Sequence, residues 1–162
     1  TLYPFGTLSS NMHMAWMKQV CGRMESRYQY SNTIVYNNFP WPSPTPTQRT
    51  FVEEKAQTVL DTRTRHLPPR GMNTLADIYD PNTMPRELLS AHTELDRAVE
   101  KCYRPEPFRS DRERVEYLFR LYEQLSAPLL PVSLRTRGKR SLSTATTPRS
   151  TRRRTPGLSD QT

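Results

Sequence analysis

Amide and aromatic side chains gather in one short stretch, Tyr36-Asn37-Asn38-Phe39-Pro40-Trp41-Pro42, where two prolines fix the backbone. Proline locks its own φ and pushes the residue before it towards extended geometry. Such a segment is a rigid turn that leaves amide and ring groups on display, which is the chemistry of a recognition surface. A second candidate is Glu25-Ser26-Arg27, a carboxylate acceptor and a guanidinium donor one residue apart. On residue chemistry alone this pair reads as a solvated ion pair at a helix end. Side chains suited to covalent or metal chemistry are scattered. His13, His66 and His92 have no partner at metal-ligating spacing, and His13 sits among apolar residues as a core histidine would. Ser9-Ser10 has no nucleophile-elbow context. Cys21 and Cys102 belong to no CxxC and are expected to be buried, reduced thiols.

These groups must be held by the elements around them. Residues 9–26 place Met12, Trp16, Val20 and Met24 at i, i+4, which predicts a helix with one buried face, capped by Ser9 or Ser10. Met12, Met14, Met17 and Met24 are read as core packing. Tyr28 to Tyr36 alternates partially and reads as a strand, turned by Asn37-Asn38. The prolines up to Pro46 then forbid regular structure. A helix is expected from Thr50 to about His66, stopped by Pro68-Pro69-Arg70-Gly71, with a helical turn at Leu75 to Tyr79. Thr83 is expected to cap a helix reaching about Tyr103, with Pro85 in its first turn. Ser110-Asp111-Arg112-Glu113 has the form of a capping box and opens a last helix, ended by Pro128 and Pro131. Three helices with short links predict a small bundle over about 50–128.

Charge divides the chain. Residues 1–132 hold 16 Lys and Arg against 15 Asp and Glu, whereas 133–162 hold 8 against one. The sequence pI of 9.9 therefore reports the Ser/Thr/Arg/Pro tail, and any claim on nucleic acid must rest on the body's own residues. The tail has no apolar period and is expected to be disordered. No apolar run nears the roughly 18 residues of a membrane span, and Thr1-Leu2-Tyr3-Pro4-Phe5-Gly6 has no signal-peptide layout. The expectation is a soluble, cytoplasmic chain with no membrane partner, and the start at Thr1 reads most simply as that of a fragment.

The wording of the chain says more. Ser9-Ser10-Asn11-Met12-His13-Met14-Ala15-Trp16-Met17, Val20-Cys21-Gly22-Arg23 and Tyr36-Asn37-Asn38-Phe39-Pro40-Trp41-Pro42 resemble the C-terminal part of MmeI-like DNA methyltransferases, type IIL polypeptides that combine restriction and modification. The resemblance runs to about Pro131. It implies a mainly α chain, with the end of an α/β target recognition domain over 1–46 and a helical C-terminal domain over 47–131, followed by the basic tail over 132–162, which lies beyond the resemblance. It also implies that Glu25 and Arg27 sit at a base-reading position. There a carboxylate accepts from cytosine N4 and a guanidinium donates to guanine O6 and N7. Residues two apart on an extended chain would point the same way. Lys18, Arg23, Tyr28 and Tyr30 are then candidates for contacts to the DNA backbone, although one of the two tyrosines is equally a core candidate.

Asn38-Phe39-Pro40-Trp41 is similar to the Asn-Pro-Pro-aromatic motif with which adenine methyltransferases hold a flipped base, but Phe39 replaces the first proline. In the family the catalytic motif lies upstream, so Asn37, Asn38, Phe39, Pro40 and Trp41 are expected to form a structural hinge. No S-adenosylmethionine loop or Asp…Glu-x-Lys nuclease pattern is seen, and the chain has 5 Gly. The expected parent polypeptide uses S-adenosylmethionine through an upstream methyltransferase domain, acts on double-stranded DNA, and needs Mg only where a nuclease is fused. This chain is expected neither to methylate nor to cut alone. The helices at 83–103 and 110–126 would by themselves also suit a protein-interaction module without DNA specificity, and the tail a nonspecific basic binder.

Overall fold

Six α-helices, a short hairpin and a π-helical turn make up the computed structural model, which describes residues 1–25, 27–67 and 74–127. Helix α1 (Tyr3–Leu8) carries Pro4 in its first turn. Its Gly6 is required by a close approach: a Cβ there would lie 3.0 Å from Val52 Cγ1 and 3.2 Å from Ala56 Cβ. Helix α2 (Asn11–Val20) buries Met12, His13, Ala15 and Trp16. It stops before Gly22, so Met24 leaves the apolar stripe and is exposed, against the core role expected of it. The Ser10 hydroxyl donates to the Thr7 carbonyl at 2.7 Å and caps nothing. Its place is taken from a distance by Asp96, which accepts from the Asn11 backbone N–H at 2.7 Å and from Asn11 Nδ2 at 2.8 Å.

The strand expected over Tyr28 to Tyr36 is replaced by two elements. Strands β1 (Gly22–Met24) and β2 (Arg27–Gln29) pair antiparallel, and Asn32–Tyr36 forms the π-helical turn. Local side-chain bonds explain the change. Ser31 Oγ accepts from the Ile34 N–H at 3.4 Å, and Asn38 Nδ2 donates to the carbonyls of Thr33 and Ile34 at 2.9 and 3.0 Å. Ser and Asn offer the backbone these alternatives to a ladder.

Helix α3 (Pro46–His66) begins earlier than Thr50, because Thr45 and Gln48 form a capping box and Pro46 occupies the first helical position. Helix α4 (Leu75–Ile78) is the expected turn, capped by Thr74 and Asp77. Helix α5 (Arg86–Glu100) is not capped by Thr83, whose hydroxyl donates to the Asp77 carbonyl at 2.7 Å. Helix α6 (Asp111–Ser126) is capped by Ser110 Oγ, which accepts from the Glu113 N–H at 3.2 Å. The Glu113 carboxylate reaches past the cap position to the Arg109 N–H at 2.7 Å.

The protein is mainly α, but its helices do not pack as the expected three-helix bundle. Helices α1 and α5 pack on α3, while α6 crosses to α2. Trp16 draws α6 there: its ring lies 5.2 Å from Phe119 and 5.8 Å from Tyr122, and Lys18 pairs with Asp111 at 3.3 Å. Helices α5 and α6 are tied by a buried ion pair, Glu100 to Arg114 at 2.6 Å. One apolar core runs from Tyr3 and Trp16 through Val35 and Phe39 to Val52, Leu95 and Leu118. Both cysteines are free and half-buried. Among the described residues no helix is long and apolar enough to cross a membrane. The expected stops at Pro68–Gly71 and at Pro128 and Pro131, and the tail over 132–162, lie outside the described residues.

Candidate functional site

Only two residues separate Met24 from Arg27, so the hairpin turns as tightly as a hairpin can, and its first turn residue must take positive φ. That residue is Glu25, at φ 58°, the one non-glycine with positive φ among the described residues. All six strand residues are exposed, so the hairpin projects from the helical body. Register assigns its faces. Directly opposed residues of an antiparallel pair share a face. Arg23 opposes Tyr28, and its guanidinium lies 5.0 Å from the centre of that ring. Met24 opposes Arg27 and Gly22 opposes Gln29 on the other face.

Glu25 and Arg27 are brought together, but not by strand alternation as expected. The turn returns the Glu25 carboxylate to 3.7 Å from the Arg27 guanidinium, with both side chains free to solvent. Of the expected backbone contacts, Arg23 and Tyr28 occupy the opposite face. Lys18 stands apart on α2, engaged with Asp111. Neither tyrosine is core, since Tyr28 and Tyr30 are both exposed. The Tyr30 hydroxyl meets His13 Nε2 at 3.2 Å, which fastens the foot of β2 to α2. His13 itself is 5% exposed and stands edge-on to Phe39 at 4.7 Å. Burial pushes its imidazole down to about 4.

The Asn37–Trp41 segment is built differently. The Asn38 amide is held inside the π-helical turn by two carbonyls, so it is not on display. Phe39 is 4% exposed, among His13, Trp16 and Trp41. Pro40 is buried and its carbonyl accepts from the Tyr103 hydroxyl at 3.1 Å. Trp41 stacks edge-on against Tyr36 at 5.7 Å, and Asn37 is exposed. The segment thus packs between α2 and Tyr103, with the Asn38 amide engaged and the Phe39 ring buried. Among the described residues no group of three metal-ligating side chains comes together.

Met24, read from the sequence as core, and Gln29, which the sequence did not single out, share Arg27's face. Only Gly22, which ends the helical stripe, pointed that way, since Glu25-Ser26 is not a usual hairpin turn pair.

Both parts of the chain are matched by known proteins. Residues 1–43 match the MmeI target recognition domain and residues 44–130 the MmeI C-terminal domain. Over 125 residues the chain is 42% identical to DNA methyltransferase A of Bacillus subtilis (strain 168), covering 77% of this chain and 14% of that protein. The solved structure of the type IIL restriction-modification enzyme MmeI in complex with DNA matches with a TM-score of 0.73 at 42% identity. That match covers 78% of this chain and 16% of that one, so the chain spans about a sixth of the relatives' length or less. The class is therefore a recognition-domain end joined to a helical C-terminal domain. The chain belongs to the MmeI family of restriction-modification methyltransferases.

Proposed function

We propose that this chain supplies DNA sequence readout to an MmeI-like adenine-N6 methyltransferase, with the hairpin tip entering the major groove. The observation that supports this reading most is Glu25. A left-handed conformation costs a β-carbon-bearing residue about 1–2 kcal/mol; Gly fills such turn positions without that cost, and Asn or Asp with less of it. A glutamate held there at φ 58° serves its carboxylate rather than its backbone. Glu25 accepts from cytosine N4 while Arg27 donates to guanine O6 and N7, so together they read one G·C pair. Arg23 and Tyr28, on the opposite face, turn towards phosphate, Tyr30 lies at the foot of the hairpin, and Lys18 stands apart on α2.

Methyl transfer from S-adenosylmethionine belongs to an upstream domain of the same polypeptide. The sequence carries no Gly-rich loop for that cofactor, and the segment similar to the base-holding motif is engaged elsewhere, with Asn38 bonded within its own turn and Phe39 buried. The joint at Asn37–Trp41 instead holds the recognition hairpin against helices of the C-terminal domain. Magnesium enters only where a nuclease domain is fused.

The test is Glu25→Lys with Arg27→Asp in the full-length protein, with methylated sites mapped across genomic DNA. The expected result is surviving methylation with a changed base at one position of the site. An unchanged site, or loss of all methylation by a protein that still folds, overturns the assignment.

A further inference from the structure

Met24 is the residue for which the fold has no structural use. At 64% exposure it is the most exposed large apolar side chain among the described residues. It lies outside the helix whose stripe it would have extended, and β1 buries nothing. Its place in the hairpin is specific, however. Met24 is the direct partner of Arg27, so the two side chains leave the same face beside the turn that carries Glu25. Gly22, the other β1 residue on that face, has no side chain. The tip thus presents an acceptor, a fork of donors and one thioether, side by side.

We infer that Met24 is a base-contacting residue that takes a pyrimidine C5-methyl group, supplied in unmodified DNA by thymine, next to the pair read by Glu25 and Arg27. The inference rests on the hairpin entering the major groove. There the thymine methyl is the one apolar group on any base edge. Opposed Cβ atoms are about 4.5–5.5 Å apart, and base pairs rise about 3.4 Å, so the methyl contacted must lie within about two pairs of that G·C pair. A methionine suits the task because its unbranched, polarisable side chain adapts to a shallow apolar target. Exposed and unpaired in the free protein, it loses no internal contact when it docks.

The experiment is a cycle of affinities for the full-length protein on its own site, recovered by selection from random duplexes. Each thymine is replaced in turn by uracil, and each cytosine by 5-methylcytosine, for the natural protein and for Met24→Ala. Loss of one thymine methyl within two pairs of the Glu25/Arg27 position is expected to weaken binding about four-fold, as burial of a single methyl group would. Met24→Ala is expected to abolish that difference and leave the base chosen at the G·C position unchanged. A response to 5-methylcytosine in place of thymine keeps the contact and assigns its source to a modified base. Indifference to every methyl group, or an equal loss by Met24→Ala on thymine and uracil duplexes, overturns the inference. The charge swap is read as a change of preferred base and this cycle as a ratio of affinities on one sequence, so each can fail visibly without the other.

Discussion

The hairpin and the Asn37–Trp41 joint lie close in the chain, and their side chains are partnered in opposite ways. The joint is rich in amides and rings, the usual equipment of a binding surface, yet its Asn38 amide, Phe39 ring and Pro40 carbonyl all find partners inside the protein. The hairpin is built from plainer residues, none of the described ones buried, and its two tip charges face each other in solvent. A group that has already found its partner in the fold contributes to stability and is lost to recognition. A group left in solvent at a geometric cost, as Glu25 is, remains available to a ligand. Substitutions should therefore separate the two regions by kind of effect: stability in the joint, specificity in the hairpin.

The largest separation is expected from Phe39→Ala. Truncating a ring that packs against His13, Trp16 and Trp41 removes buried area and leaves a cavity, so about 3–5 kcal/mol of stability should be lost. Arg27→Ala, at an exposed position, should change stability by about 0.5 kcal/mol or less. Urea unfolding of the two variants measures both. Similar losses in the two would mean that the hairpin is part of the packed body and break the contrast.

A smaller effect is expected where the two regions touch, at His13. Its folded-state pKa of about 4 lies below the usual 6.5, because burial between Phe39 and Tyr30 disfavours the charged ring. A depressed value means that the neutral form is the one the fold prefers. The stability it contributes is complete above pH 6.5 and is lost as pH falls from there towards 4. Asp96 works in the opposite sense. Burial raises it to about 6 from the ordinary 3.8, although Asn11 donates to it, so its contribution grows as pH falls across that window. The difference between the natural protein and His13→Leu isolates the histidine. That difference should shift by roughly 2 kcal/mol against the natural protein between pH 7.5 and pH 4, at about 1.4 kcal/mol per pH unit and allowing for partial solvent access. Unfolding midpoints measured at several pH values would show it, and parallel curves for the two proteins would mean that the ring is free to take a proton in place.

Much of this was legible in the sequence where one physical cause dominates. The stripe of Met12 and Trp16 gave α2, and the apolar face of Leu88, Ala91, Leu95 and Val99 gave α5, because burying a face decides a helix. Thr45-Pro46-Thr47-Gln48 was a capping box written in plain view and hidden by the density of prolines around it. The destination of α6 was not legible. Its face could have closed a bundle with α3 and α5, and only the bulk of Trp16, with Asp111 facing Lys18, sends it to α2. The hairpin was obscured for a related reason: Tyr28, Tyr30, Ile34 and Val35 have strand composition, and the bonds made by Ser31 and Asn38 that stop the strand depend on local geometry, not on pattern. The pairing of Glu25 with Arg27 was reached through resemblance, while the means of pairing, a turn at positive φ, was not.

The smallest change in stability carries the sharpest test of the contrast. Glu25→Gly removes the β-carbon that makes φ 58° costly, and the glycine's greater freedom in the unfolded chain offsets part of that gain. The protein should therefore be unchanged or more stable by up to about 1 kcal/mol. The same substitution removes the carboxylate that would accept from cytosine N4, and discrimination at one base position should relax by about 1–3 kcal/mol, or five- to more than a hundred-fold. Unfolding curves and competition binding between duplexes that differ at that pair would read the two effects on one variant. A gain in stability with unchanged discrimination would make Glu25 an ordinary turn residue, and a loss in both would place it among the residues that hold the fold. A gain in one with a loss in the other is what a residue kept for its ligand must show.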